Sequence, residues 1–91
     1  EIRGQVLGPD GKPAPDIIVD ARLATAGEDP AAVRSMLRAG YADHTIRTEA
    51  DGSFTLGGLP PGAYTLRAHA GGGPDALREG VRRGVRVTLA L

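Results

Sequence analysis

Residues 48–66 read Thr48-Glu49-Ala50-Asp51-Gly52-Ser53-Phe54-Thr55-Leu56-Gly57-Gly58-Leu59-Pro60-Pro61-Gly62-Ala63-Tyr64-Thr65-Leu66, and this stretch decides the fold. Asp51-Gly52 is a tight-turn pair, because glycine enters the positive-φ region without a Cβ clash. The turn predicts a hairpin that leaves Phe54 pointing inward. Pro60-Pro61-Gly62 stiffens the approach to the next strand and lowers the entropy lost on folding. In that strand Tyr64, Leu66, Ala68 and Ala70 alternate with Thr65, Arg67 and His69. A period of two with one apolar face is the signature of a half-buried strand, most often antiparallel. Tyr64 offers a ring to the core and a hydroxyl that needs a partner near the sheet end.

The same period recurs outward from this stretch. Ile17, Val19, Ala21 and Leu23 alternate with Asp20 and Arg22, and Val85, Val87, Leu89 and Leu91 with Arg86, Thr88 and Ala90. Ile2–Leu7, His44–Glu49 and Ser53–Leu56 are shorter candidates, and Pro9-Asp10-Gly11 marks a further turn. Six short strands punctuated by Gly and Pro predict an all-β sandwich. One segment departs from it. Asp29 fits a helix cap, Pro30 the first helical position and Gly40 the stop, while Val33, Met36 and Leu37 hold i, i+3, i+4 spacing. This predicts a short helix over about 29–39. It is too short to stand alone, so Val33 and Leu37 should dock on the sandwich with Arg34 and Arg38 facing water. Gly71-Gly72-Gly73-Pro74 reads as a mobile loop, followed by one helical turn at Asp75–Arg78.

Composition narrows the function. The chain of 91 residues has room for one core. Eleven basic against eleven acidic side chains give a formal net charge of zero, which argues against nucleic acid or anionic lipid as a whole-molecule partner. Ile, Val, Leu and Phe make up roughly a fifth of the residues, near the lower bound for a folded chain, and neutrality speaks against disorder. There is no cysteine, hence no disulfide and no thiolate chemistry, and compartment is not read from that zero. No apolar run approaches the ~20 residues of a membrane span. The start at Glu1, with Ile2 already in a strand, reads as a module excised from a longer protein, with residues 1–91 a single domain.

Gly4-Gln5-Val6 with Pro9-Asp10-Gly11-Lys12-Pro13, and the motif of residues 48–66, resemble the carboxypeptidase regulatory-like domain. Val85-Arg86-Val87-Thr88-Leu89 is compatible with the last strand of that family. The resemblance covers most of the chain outside about 25–45 and 71–82. It implies a transthyretin-like (prealbumin-like) Greek-key sandwich of seven strands, related in appearance to Cna B-type domains. With six strands counted, one is missed or lies in the irregular stretches. It also implies a non-catalytic accessory module of a bacterial secreted, periplasmic or cell-envelope protein, acting as spacer, folding support or protein-contact domain. The alternatives are a carbohydrate-binding module or a regulatory domain attached to an enzyme such as a metallocarboxypeptidase.

The chemistry-bearing residues point the same way. Two His and two Tyr are the ligand inventory of intradiol dioxygenases, whose sandwich is similar. Yet His44 and His69 fall on separate strands, Tyr64 belongs to the fold motif, and His69 shares a solvated face with Thr65 and Arg67. Zinc needs three or four converging ligands. Asp10, Glu49 and Asp51 are the acidic candidates for weak calcium binding, but they lack the alternating ligands and distant glutamate of a calcium loop. Ser35 and Ser53 sit in no nucleophile elbow, and the hydroxyisourate hydrolase tail (Tyr-Arg-Gly-Ser) is replaced by Leu89-Ala90-Leu91. Lys12, the only lysine, lies in a turn and is unsuited to an isopeptide bond. Arg78, Arg82, Arg83 and Arg86 read as a solvated edge that discourages strand-edge association. The expectation is therefore no catalytic residue, no cofactor and no metal. The core is placed at Val19, Phe54, Leu56, Tyr64, Leu66, Val87 and Leu89. An interaction surface for a protein partner or a neighbouring domain is placed at Val33, Arg34, Leu37, Arg38, Arg82 and Arg83; the oligomeric state is left open.

Overall fold

The computed structural model describes residues 1–24, 27–70 and 73–91. Seven strands and one helix follow in the order β1 (Ile2–Leu7), β2 (Ile18–Leu23), α1 (Pro30–Arg38), β3 (His44–Arg47), β4 (Ser53–Leu56), β5 (Ala63–His69), β6 (Asp75–Arg82) and β7 (Arg86–Ala90). They form a three-stranded sheet of order β4-β1-β7 and a four-stranded sheet of order β3-β2-β5-β6. All pairings are antiparallel except β1 with β7, which run parallel from Arg3 opposite Arg86 to Leu7 opposite Ala90.

The apolar halves of the alternating patterns meet between the sheets. Ile2, Val6, Phe54, Leu56, Val87 and Leu89 come from the three-stranded sheet, and Val19, Ala21, Tyr64, Leu66, Ala68 and Val81 from the other, all buried in one cluster. The seven core residues expected from the sequence are among them. Gly4, on the middle strand of the smaller sheet, has no room for a side chain. A Cβ there would lie 2.5 Å from Phe54 Cζ and 2.5 Å from the Val87 carbonyl oxygen. The small residue at position 4 is what lets the phenyl ring lie against the ladder.

Several local expectations are corrected. The seventh strand is β6, where one helical turn was expected at Asp75–Arg78. Its alternation is broken by a bulge opposite Tyr64–Leu66, and as an edge strand it buries only Val81 fully. Its neighbours Gly71 and Gly72, expected to be mobile, lie outside the described residues. Ala70 is exposed, and so is Val85, because β5 ends at His69 and β7 begins at Arg86. The Asp51-Gly52 turn does not close a hairpin within one sheet, since β3 belongs to the larger sheet and β4 to the smaller. It is a corner that carries the chain across the core, with Gly52 at φ +78° and its amide donating to the Glu49 carbonyl at 2.9 Å. The β1–β2 connection crosses between sheets in the same way.

These two corners lie against each other, which explains the motif. The Thr48 hydroxyl accepts from the Ile17 amide at 2.8 Å and donates to the Ala14 carbonyl at 2.7 Å. The Val6 amide donates to the Gly52 carbonyl at 2.8 Å. Thr48 is only 6 % exposed, so both bonds form away from competing water. Tyr64 is fully buried, and its hydroxyl donates to the Pro60 carbonyl at 2.8 Å, the partner its strand position required.

Candidate functional site

Helix α1 interrupts the link from β2 to its neighbour β3 and lies on the outer, core-distal face of the four-stranded sheet. Asp29 caps it by accepting from the Ala31 amide, with Pro30 in the first turn. At the other end the Tyr41 amide donates to the Met36 carbonyl and the Gly40 amide to the Leu37 carbonyl, a Schellman stop. Val33 and Leu37 are buried, yet neither belongs to the inter-sheet core. They seat instead on β2 and β5, the two middle strands. The helix therefore covers the centre of a sheet face and not an open edge.

Beneath and beside it lies a polar layer supplied by the outward halves of the strands. Asp20 on β2 accepts from the Thr45 hydroxyl at 2.8 Å and stands 2.9 Å from His69 Nε2. Asp75 on β6 accepts from Arg38 Nε at 3.1 Å and from Arg67 Nε at 3.0 Å. Those two guanidiniums, Arg38 foremost, hold its carboxyl below the ordinary value. Arg34 pairs with Glu79, and Arg22 Nη1 donates to the Tyr41 carbonyl at 3.3 Å while its Nε is buried without a partner. The helix is thus tied to the edge strand β6 by two ion pairs and sealed to the middle strands by two apolar side chains.

This arrangement corrects the reading of His69 as solvated: its side chain is 15 % exposed and paired with Asp20. Thr45 bonds to the aspartate and not to the histidine. A hydroxyl on that side is not activated in the manner of a hydrolase triad, where the histidine takes the hydroxyl proton. His44 stands on the other side of the sheet with its ring edge-on to Tyr64, centroids 6.3 Å apart. Among the described residues no group of three or more His, Cys, Asp or Glu side chains converges. Of the acidic calcium candidates, Asp51 accepts from the Ser53 hydroxyl at 2.6 Å and amide at 3.0 Å, bonds that lower its pKa. Asp10 accepts from the Lys12 amide at 3.0 Å, so both carboxylates serve their own turns.

The six residues expected to form an interaction surface do not make one patch. Val33 and Leu37 face the sheet, Arg34 and Arg38 are engaged with β6, and Arg82 and Arg83 lie at the far end of β6 and in the turn after it. Arg83 donates weakly to the Leu59 carbonyl at 3.4 Å. Sequence reading missed Asp75 and Glu79 as the helix's counterparts, and the Asp20–His69 pair on the same sheet face. The signal was present: an amphipathic helix must seat on something, and these side chains line the strand faces left over once the core is assigned.

A family model for the carboxypeptidase regulatory-like domain matches residues 1–91. No curated protein matches the chain. Among solved structures, the dioxygenase domain of a dioxygenase carbohydrate-binding protein fusion from Streptomyces sp. SirexAA-E is similar at TM-score 0.56 and 19% identity, covering 99% of this chain and 77% of that one. Transthyretin from Sparus aurata is similar at TM-score 0.56 and 15% identity, covering 99% and 86%. Sea bream transthyretin in complex with thyroxine gives 0.55 and 16%, covering 99% and 85%. At such identities these likenesses speak for the fold alone, a transthyretin-like sandwich. With its whole length matched by the family model, the chain belongs to the carboxypeptidase regulatory-like domain family.

Proposed function

We propose that this β-sandwich is a non-catalytic accessory module that sets the spacing of flanking parts in a longer secreted or cell-envelope bacterial protein. One observation carries the reading: the first and last strands are parallel neighbours. Glu1 lies beside Gly84, whose amide donates to its carbonyl at 2.7 Å, and Leu91 lies beside Leu7 at the opposite end of the ladder. A chain continuing past both would enter at one end of the sandwich and leave at the other. At about 3.3 Å per residue the ladder alone holds those ends roughly 20 Å apart. Antiparallel terminal strands would have returned the chain to its starting point and made the domain a side branch. No helix among the described residues is long and apolar enough to cross a membrane.

The test is a domain exchange in the parent chain. Replacing residues 1–91 by an unrelated sandwich of equal end-to-end span should preserve the activity of the flanking parts, and a flexible Gly/Ser linker should not. Loss of activity in the sandwich exchange would reject the spacer reading in favour of a specific contact made by this domain's own surface.

A further inference from the structure

We infer that the β1–β7 ladder is a shear clamp, and that the domain bears tension applied along the chain. The inference rests on the in-line reading above and deepens it. Force entering at Glu1 and leaving at Leu91 pulls two parallel neighbours past each other along their length. Every ladder bond is then strained together and must fail together. Pulling the same strands apart sideways from one end would break the bonds one after another, each at lower force. Rupture under load is governed by the unfolding barrier, so a barrier in which many bonds break at once is what resists it.

The surroundings of the ladder fit this role. Five residue pairs are in register, from Arg3 opposite Arg86 to Leu7 opposite Ala90. The ladder is prolonged at both ends by the Gly84 amide on the Glu1 carbonyl at 2.7 Å and the Leu91 amide on the Leu7 carbonyl at 2.9 Å. β1 cannot be drawn out alone. On its other edge it pairs with β4 from Ile2 opposite Leu56 to Gln5 opposite Ser53, and its Ile2 and Val6 side chains are wholly buried. β7 is an edge strand, pinned by Val87 and Leu89 in the core. Load therefore passes from β1 directly into β7 through one ladder. The sheet carrying β2, β3, β5 and β6, together with α1, stands outside that path.

Single-molecule pulling in two geometries tests this on the same fold. The chain has no cysteine, so introduced thiols are unique handles. Cysteines appended before Glu1 and after Leu91 load the ladder in shear. The pair Arg3→Cys and Arg86→Cys, two exposed Cα partners at one end of the ladder, loads it in peeling. Matching urea midpoints establish that both proteins are folded alike. At equal pulling speed the shear geometry should rupture at several-fold higher force than the peeling geometry. Equal forces, or a weaker shear geometry, would overturn the clamp. That result would leave the spacer reading intact, since the domain exchange measures span and not strength.

Discussion

Phe54 and Gly4 illustrate how one position constrains another across a sheet. Phe54 is 3 % exposed and its ring occupies the space that a side chain at position 4 would need. Forcing a methyl group into a filled core costs typically ~1–3 kcal/mol, and here the Val87 carbonyl obstructs it as well as the Phe54 ring. Gly4→Ala should therefore lower the urea midpoint, and Phe54→Leu should not rescue it, because the Val87 carbonyl stays in place. Full rescue in the double variant would show that only the ring matters. Phe54 and Tyr64 were legible in the sequence as inward residues because each sits in an unbroken alternation next to a turn. The roles of Gly4 and Thr48 were not: both depend on contacts made by distant segments, and neither residue type announces a packing partner.

At the scale of elements, strands with clean alternation could be located from sequence, and those without it could not. β6 escaped because Arg78, Glu79 and Gly80 are all exposed around a bulge, so no apolar period marks it. The helix was legible from its caps, yet its seat was not, since the strand faces beneath it carry Asp20, Thr65 and His69 and look solvated in one dimension. A nine-residue helix owes its existence to that seat, because isolated helices this short are marginal in water. The contributions should rank accordingly. Leu37→Ala should cost ~2–5 kcal/mol as a buried truncation, and Asp29→Ala about 0.5–2 kcal/mol through the lost cap. Arg34→Ala should cost only ~0–1 kcal/mol, because both side chains of its pair with Glu79 remain partly exposed to screening water. Urea midpoints in a different order, with Arg34→Ala as damaging as Leu37→Ala, would mean that ion pairs and not apolar seating hold the helix.

For the molecule as a whole, balanced charge leaves the pH dependence of stability to a few placed groups. Asp75 is held below its ordinary value of 3.8, first by Arg38 and then by Arg67, and Asp51 is lowered by its bonds from Ser53. A carboxyl depressed on folding stabilises the native state above its unfolded value, and that contribution disappears as pH falls through the folded one. Tyr64 behaves in the opposite sense. Burial, reinforced by Asp43, raises its phenol above 10.0. The native state then keeps a proton that the unfolded chain releases, so the contribution is complete below pH 10 or so and is lost as pH climbs through the raised value. Stability should decline in acid below about pH 4 and in alkali above about pH 10. The two limbs can be assigned separately. Asp75→Asn removes a titrating group from the acid side, and Tyr64→Phe removes the alkaline one at the expense of the hydroxyl's bond to Pro60, about 0.5–1.5 kcal/mol at every pH. Thermal midpoints measured across the range should show the alkaline fall flattened in Tyr64→Phe and unaltered in Asp75→Asn. An alkaline limb that persists unchanged without the Tyr64 hydroxyl would place its origin elsewhere.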